Sequence, residues 1–183
     1  GDGSPVMSST DPNSTIVIDP VHRTYAATHT YADNPAGRPD YVVSAFVTDD
    51  AGANSNTVTV SAVVQNVAPI FVDIAINNVA VAQIPNTGGP QPPTITIDEN
   101  GIATISGSFI DPGARDTETV SIDWGEGGAL EQAVVTTDAR DPTLHHFTLS
   151  HRYLDDNPSG TPKDNYTITV TAEDNDGASS RKV

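Results

Sequence analysis

The chain has no cysteine and few large side chains. Its 183 residues include one Met and one Trp, and aromatic residues make up only 5%. The absence of Cys excludes disulfides, thiolate catalysis and zinc sites built on cysteine. So small a stock of large apolar side chains favours a thin two-sheet core over a deep ligand pocket. The sequence also lacks any run of about 18 apolar residues, so no segment predicts a membrane-spanning helix.

Basic residues are scarce as well. Lys and Arg together number 8 against 24 Asp and Glu, which gives a formal charge of −16. Such a field repels nucleic acid and anionic membranes, so we expect no nucleic-acid binding and no membrane insertion. It attracts cations instead. Because a secreted eukaryotic module of this size more often carries a disulfide, the sequence favours an extracellular or cell-surface location in a bacterium.

Sequence motifs of catalysis are missing too. The chain contains no Gly-x-Ser-x-Gly elbow and no phosphate-binding loop, and its many carboxylate pairs fall in turns. A catalytic site needs a nucleophile, a base and an oxyanion donor placed together, and no pattern here predicts that arrangement. We therefore expect this chain not to be an enzyme.

What the chain does have is an internal repeat with a spacing of roughly 120 residues. Such self-similarity is typical of an array of modules. From these matches we expect the chain to begin about halfway through one module and to end inside the last strand of the next. The repeated motifs are His29-Thr30-Tyr31 with His151-Arg152-Tyr153, Asp33-Asn34-Pro35 with Asp156-Asn157-Pro158, Tyr41 with Tyr166, and Asp49-Asp50-Ala51-Gly52 with Asp174-Asn175-Asp176-Gly177.

The hydrophobic pattern predicts an all-β fold with almost no helix. Short stretches alternate apolar and polar residues, and clusters of Gly, Pro, Asn and Asp separate them. A proline-rich stretch, Pro85–Pro93, predicts a surface loop. The predicted strands are Thr24–Tyr31, Tyr41–Thr48, Thr57–Val64, Ile70–Ile76, Val79–Val81, Thr94–Ile97, Ile102–Ile110, Thr119–Trp124, Ala133–Thr136, His145–Tyr153 and Tyr166–Ala172.

Strand parity predicts which polar and aromatic side chains face the core. Trp124 shares a face with Val120 and Ile122, so we expect it to pack in the core rather than to stack on a sugar. His151 shares a face with Phe147, which predicts a hydrogen-bonded histidine beside the core. His145 lies on the same face, and His146 points outward. Tyr166, after a long polar loop, predicts a tyrosine corner whose hydroxyl binds loop backbone.

The repeat and the strand pattern together predict two modules. Residues 1–68 form the C-terminal part of one β-sandwich, and residues 69–183 form a second sandwich that lacks most of its last strand. The junction is Asn66-Val67-Ala68-Pro69, which is short and contains a stiffening proline.

These motifs resemble those of PKD-type (polycystic kidney disease) domains. The residues that carry the resemblance are Asp123-Trp124-Gly125-Glu126-Gly127, His151-x-Tyr153, Tyr166 and Asp174-Asn175-Asp176-Gly177. The chain departs from the family pattern in having Asp before Trp, no Phe after it, and Glu126 in place of an Asp. The resemblance implies tandem immunoglobulin-like β-sandwiches, the first of them incomplete. It also implies a large bacterial surface or secreted protein.

In an immunoglobulin-like sandwich, two of the loops and the module's N-terminal junction meet at one end, which predicts a metal site here. Ca²⁺ takes six to eight hard oxygen ligands from carboxylates, carbonyls and water. A looser acidic cluster, comprising Asp98, Glu99, Glu126, Asp155 and Asp156, is predicted at the opposite end. The alternative for both clusters is a set of solvated turn carboxylates. The predicted calcium ligands are Asp111, Asp116, Asp174, Asp176 and Asn66.

Together these features predict a non-catalytic structural or adhesive segment of a long cell-surface protein. In this interpretation calcium stiffens the segment, and its partners are neighbouring repeats of the same polypeptide, identical subunits or cell-surface polysaccharide. One alternative is a carbohydrate- or protein-binding accessory module of a secreted hydrolase. A row of exposed aromatic side chains would favour that alternative, and the sequence predicts none. Another is a fibre subunit whose open strand edges pair with another chain.

Overall fold

The computed structural model of the chain describes residues 2–81, 94–156 and 161–183. Within these ranges there are strands and no helix, so the all-β prediction is confirmed. The chain divides into two compact units, Gly1–Gln65 and Asn66–Val183. The predicted loop Pro85–Pro93 lies outside the described residues.

The first unit consists of two antiparallel hairpins. One pairs β1 (Val17–Asp19) with β2 (Thr24–Ala26), and the other pairs β3 (Tyr41–Ala45) with β4 (Val58–Ala62). The sequence predicts β2, β3 and β4 with longer bounds, and it does not predict β1. Both hairpins expose large apolar side chains to solvent.

The second unit contains two antiparallel sheets. One has five strands in the order β10-β11-β7-β5-β6, and the other has four in the order β13-β12-β8-β9. The strands are β5 (Ile70–Ile76), β6 (Val79–Ala80), β7 (Ile102–Ile110), β8 (Thr119–Asp123), β9 (Glu131–Gln132), β10 (Val134–Thr137), β11 (Leu144–Arg152), β12 (Thr169–Glu173) and β13 (Ser179–Lys182).

The two sheets of the second unit pack across one hydrophobic core. Alternate residues of each strand point into it, as the two-residue period of a strand requires. The core is therefore that of a β-sandwich. Its buried members are Phe71, Ile74, Ile76, Ala103, Ile105, Phe109, Val120, Ile122, Trp124, Phe147, Tyr153, Val170 and Ala172.

Two strand predictions differ from the structure for reasons of pairing. Thr94–Ile97 was predicted as a strand, but it has no ladder partner among the described residues. Its alternation reflects the packing of Ile95 and Ile97 against the core. β12 begins at Thr169, opposite Asp123, where β8 ends. The residues before Thr169 lie beside the turn at Gly125 and do not belong to the ladder between β8 and β12.

Candidate metal site

Two loops of the second unit bring three aspartates together at one end of the sandwich. Asp111 directly follows β7, Asp116 lies in the loop between β7 and β8, and Asp174 directly follows β12. Carboxylate oxygens of all three lie within 4.8 Å of one another. The three residues are buried, with exposed fractions of 0%, 9% and 5% in that order. We call Asp111, Asp116 and Asp174 the aspartate triad.

Hydrogen bonds within the loops fix the directions of these carboxylates. Asp111 Oδ1 accepts a bond of 2.9 Å from the Gly113 amide, and Asp174 Oδ1 accepts one of 2.9 Å from each of the Asp176 and Ala178 amides. The second oxygen of Asp111 is buried and has no hydrogen-bond partner among the described residues. A Cβ atom on Gly113 would collide with the Asp116 carboxylate, so a larger residue there would displace this carboxylate from the triad.

The other two predicted ligands lie beside the triad. The Asn66 Nδ2 group donates a hydrogen bond of 2.9 Å to Asp174 Oδ2, so Asn66 orients a carboxylate of the triad. Asp176 is exposed, and one of its carboxylate oxygens lies within 4.8 Å of one on Asp116. The structure thus places all five predicted residues at one end of the second unit.

Sequence reasoning missed a buried acid behind the triad. Glu118 has a side chain that is only 5% exposed, and its Oε2 lies 3.2 Å from Nδ1 of His145, which is also buried. Oε1 of Glu118 and Nε2 of His145 have no hydrogen-bond partner among the described residues. The sequence did contain a sign of this burial, because Glu118 lies on the same face as the inward residues Val120 and Ile122.

Burial and mutual repulsion shift the pKa values of these groups. Burial, reinforced by the nearby charge of Asp174, raises the pKa of Asp111 above its ordinary value. Burial, with repulsion from Asp111 and Asp174, also raises the pKa of Glu118. Burial lowers the pKa of His145, against the attraction of Asp111. The site therefore resists carrying its full negative charge unless a cation accompanies it.

The opposite end of the second unit carries a weaker acidic group. Glu99, Asp155 and Asp156 lie within reach of one another, and the first two are exposed. Glu126, also predicted at this end, accepts a hydrogen bond from His151, with 2.8 Å between Oε2 and Nε2. The alternative of solvated turn carboxylates describes these exposed groups.

The aromatic residues of the repeat motif form a packed cluster. Trp124 is only 4% exposed, which confirms that it packs in the core. The His151 ring stacks on Trp124 with 4.9 Å between the ring centroids. Its Nδ1 also lies 3.0 Å from Oε1 of Glu131. Tyr153 Oη donates a bond of 2.8 Å to the Trp124 carbonyl. Tyr166 Oη donates to the Asp155 carbonyl at 3.2 Å, as predicted for a tyrosine corner.

Comparison with known proteins gives no match. The chain matches no protein-family model, and no curated protein or solved structure is significantly similar to it. Within the described ranges, none of the secondary structure is a helix long and apolar enough to cross a membrane.

Proposed function

We propose that this chain is a non-catalytic structural segment of an extracellular bacterial protein, built from PKD-like, immunoglobulin-like modules and stiffened by Ca²⁺. The observation that carries the proposal is the buried aspartate triad. At an effective dielectric constant of about 20, each ionised pair at this spacing repels by on the order of 3 kcal/mol. A divalent cation would turn that repulsion into attraction.

The donor chemistry favours calcium among the common divalent cations. The triad offers carboxylate oxygens, and the loops that carry it could add backbone carbonyls. Ca²⁺ accepts such a varied oxygen set at flexible angles, whereas Mg²⁺ demands a near-ideal octahedron. Zn²⁺ prefers nitrogen and sulfur ligands, and the chain has no cysteine.

A cation at the triad would act as a cross-link. β7 belongs to one sheet and β12 to the other, so Asp111 and Asp174 would tie the two sheets together at one end. Asn66, the first residue of the second unit, already binds Asp174. Stiffening at this place suits a spacer or adhesive segment whose partners are neighbouring repeats or identical subunits.

The strand order supports the immunoglobulin-like part of the proposal. Such sandwiches hold strands A, B, E and D in one sheet and C, F and G in the other. When letters are given in chain order, β5, β7, β11 and β10 take the A-B-E-D places, and β8, β12 and β13 take C, F and G. The short strands β6 and β9 extend the two sheets.

The decisive experiment measures calcium binding by the intact chain and by one matched pair of variants. Asp111 and Asp141 both precede proline, and each accepts a hydrogen bond from the amide two residues later, but only Asp111 is buried in the triad. Titration calorimetry should show one Ca²⁺ per chain, with Kd of about 10⁻⁴ to 10⁻³ M, typical of extracellular modules.

Binding and stability should change together in these variants. Asp111→Asn should weaken calcium binding at least tenfold, and Asp141→Asn should leave it unchanged. At a hundredfold excess of Ca²⁺ over Kd, the second unit of the unaltered chain should gain about 2.7 kcal/mol. A chain that neither binds Ca²⁺ nor changes its melting temperature with EDTA would refute the proposal.

A further inference from the structure

The first unit repeats several contacts of the part of the second unit that surrounds β12. Asp49 Oδ1 accepts hydrogen bonds of 3.0 and 2.8 Å from the amides two and four residues later, as Asp174 Oδ1 does in its own turn. Tyr41 Oη donates to the Asp33 carbonyl, as Tyr166 Oη donates to a loop carbonyl. By this match β3 and the residues after it correspond to β12, and β4 lies on the side that β13 occupies.

The histidine motif is repeated as well. His29 packs edge-on against Tyr31 at 4.7 Å, and His151 packs in the same way against Tyr153 at 5.0 Å. His29 Nε2 lies 2.7 Å from a carboxylate oxygen of Asp2. His151 Nε2 makes the same contact with Glu126. The repeat therefore places Asp2 where the second unit has Glu126.

The two units differ in how far the matching apolar residues are shielded from solvent. In the second unit Ala172 is fully buried, whereas its counterpart in the first, Val47, is 59% exposed. In the hairpin of β3 and β4, the paired residues Val43, Val58 and Val60 are 40%, 53% and 65% exposed. One face of the hairpin is apolar throughout. This β3–β4 apolar face consists of Tyr41, Val43, Ala45, Val58, Val60 and Ala62.

The second unit shows which element covers the matching surface. β8 pairs with the edge of β12 opposite β13, with Ile122 facing Val170 and Val120 facing Ala172. The residue after β8, Trp124, stacks on His151. Among the described residues of the first unit, β3 pairs only with β4, so its other edge has no strand beside it.

We propose that the free edge of β3 and the β3–β4 apolar face accept an extended polypeptide segment with the pattern of β8. This segment runs antiparallel to β3, places apolar residues at alternate positions over the face, and ends in a tryptophan that stacks on His29. Backbone hydrogen bonds to the strand edge supply affinity, and the alternate side chains supply specificity. β8 of a second folded copy is not the occupant, because in the folded chain it is already paired on both edges, with β12 and β9.

The test adds the hexapeptide Thr-Val-Ser-Ile-Asp-Trp, the sequence of residues 119–124, to the amino terminus of the full chain. Because Asp2 matches Glu126, this extension brings its tryptophan to His29. Amides of β3 that point away from β4 should exchange at least tenfold more slowly than in the unextended chain. The ring protons of His29 should move upfield, towards the shifts of His151, which already stacks on Trp124.

A control extension carries aspartate at the two apolar positions and should give neither effect. Amides of β12 serve as the internal reference for folding, because they should exchange equally slowly in every variant. Unchanged exchange of the β3 amides in the extended chain would overturn the proposal. So would an unextended chain whose β3 amides are protected at high concentration and lose that protection on dilution, because a second copy would then be the occupant.

Discussion

At the residue scale, one carboxylate of the aspartate triad, Asp111, should make the stability of the fold depend on pH. Asp111 has a pKa raised by burial and by Asp174, so protonation favours the folded state. Its stabilising contribution is complete below the ordinary pKa of 3.8 and is lost as pH rises through the raised value. Asp141 behaves in the opposite way, because hydrogen bonds from Thr143 lower its pKa.

The resulting prediction concerns Asp111→Asn in the absence of Ca²⁺. The free energy of unfolding of the variant, relative to that of the unaltered chain, should rise as pH increases from about 4 to about 7, because the variant avoids ionising a buried carboxylate. The lowered pKa of His145 acts in the opposite direction in both chains. Denaturation in EDTA at several pH values measures it. An Asp141→Asn variant with the same trend would show that the effect is not specific to the triad.

A second prediction at this scale concerns the ring stacked on the tryptophan. His151→Ala should lose the stacking on Trp124 and two hydrogen bonds to glutamates, at a cost on the order of 2 kcal/mol. His146→Ala is the control on the same strand, since its side chain is exposed, and it should cost under about 0.5 kcal/mol. The fluorescence of the single tryptophan follows unfolding of the second unit. Equal costs for the two variants would mean that the stacked ring contributes nothing.

At the element scale, alternation predicted strand bounds best where pairing and burial coincide, and less well for β12, whose alternation begins before its pairing. Ile70–Ile76 and Ile102–Ile110 have the predicted bounds, because each strand lies inside the five-stranded sheet, where pairing and burial agree. The two-residue strand Glu131–Gln132 was missed because so short a segment has no period to detect. Glu118 was missed because an acidic residue just before a strand is usually interpreted as part of an exposed turn. The alternation of the strand nevertheless places its side chain on the inward face.

The prediction at this scale concerns the hairpin between β5 and β6. Asn77 and Asn78 both have positive φ, 47° and 63°, as a two-residue type I′ turn requires. Asn77 also reaches β7, where its Oδ1 accepts a hydrogen bond of 2.8 Å from the Thr104 amide. Asn78→Gly should therefore be neutral or stabilising by up to about 1 kcal/mol, because Gly is favoured in such turns. Asn77→Gly should cost about 1 kcal/mol through the lost hydrogen bond.

Chemical denaturation of both variants tests this assignment. If Asn77→Gly is as harmless as Asn78→Gly, the side chain of Asn77 does not help to hold β5 and β7 together.

At the scale of the whole molecule, the charge of −16 and the pI of about 4.2 mean that added salt should stabilise the chain by screening its carboxylates. Diffuse screening and binding at a site must therefore be separated. Screening depends on ionic strength and reduces repulsion between all exposed carboxylates. Binding depends on the identity and concentration of one ion and saturates.

The last prediction uses that difference. About 5 mM CaCl₂ and about 15 mM NaCl have the same ionic strength, so they should screen the surface charge of the chain almost equally. If the triad binds calcium, CaCl₂ should raise the melting temperature of the second unit by several degrees more than NaCl, and the rise should level off once the site is full. Equimolar MgCl₂ should fall between the two, because Mg²⁺ loses its water reluctantly. Gly113→Ala, which places a methyl group against the Asp116 carboxylate and displaces it, should reduce the excess due to calcium and keep the response to NaCl. If the unaltered chain responds equally to all three salts, calcium acts only by screening charge, and the triad is not a calcium site.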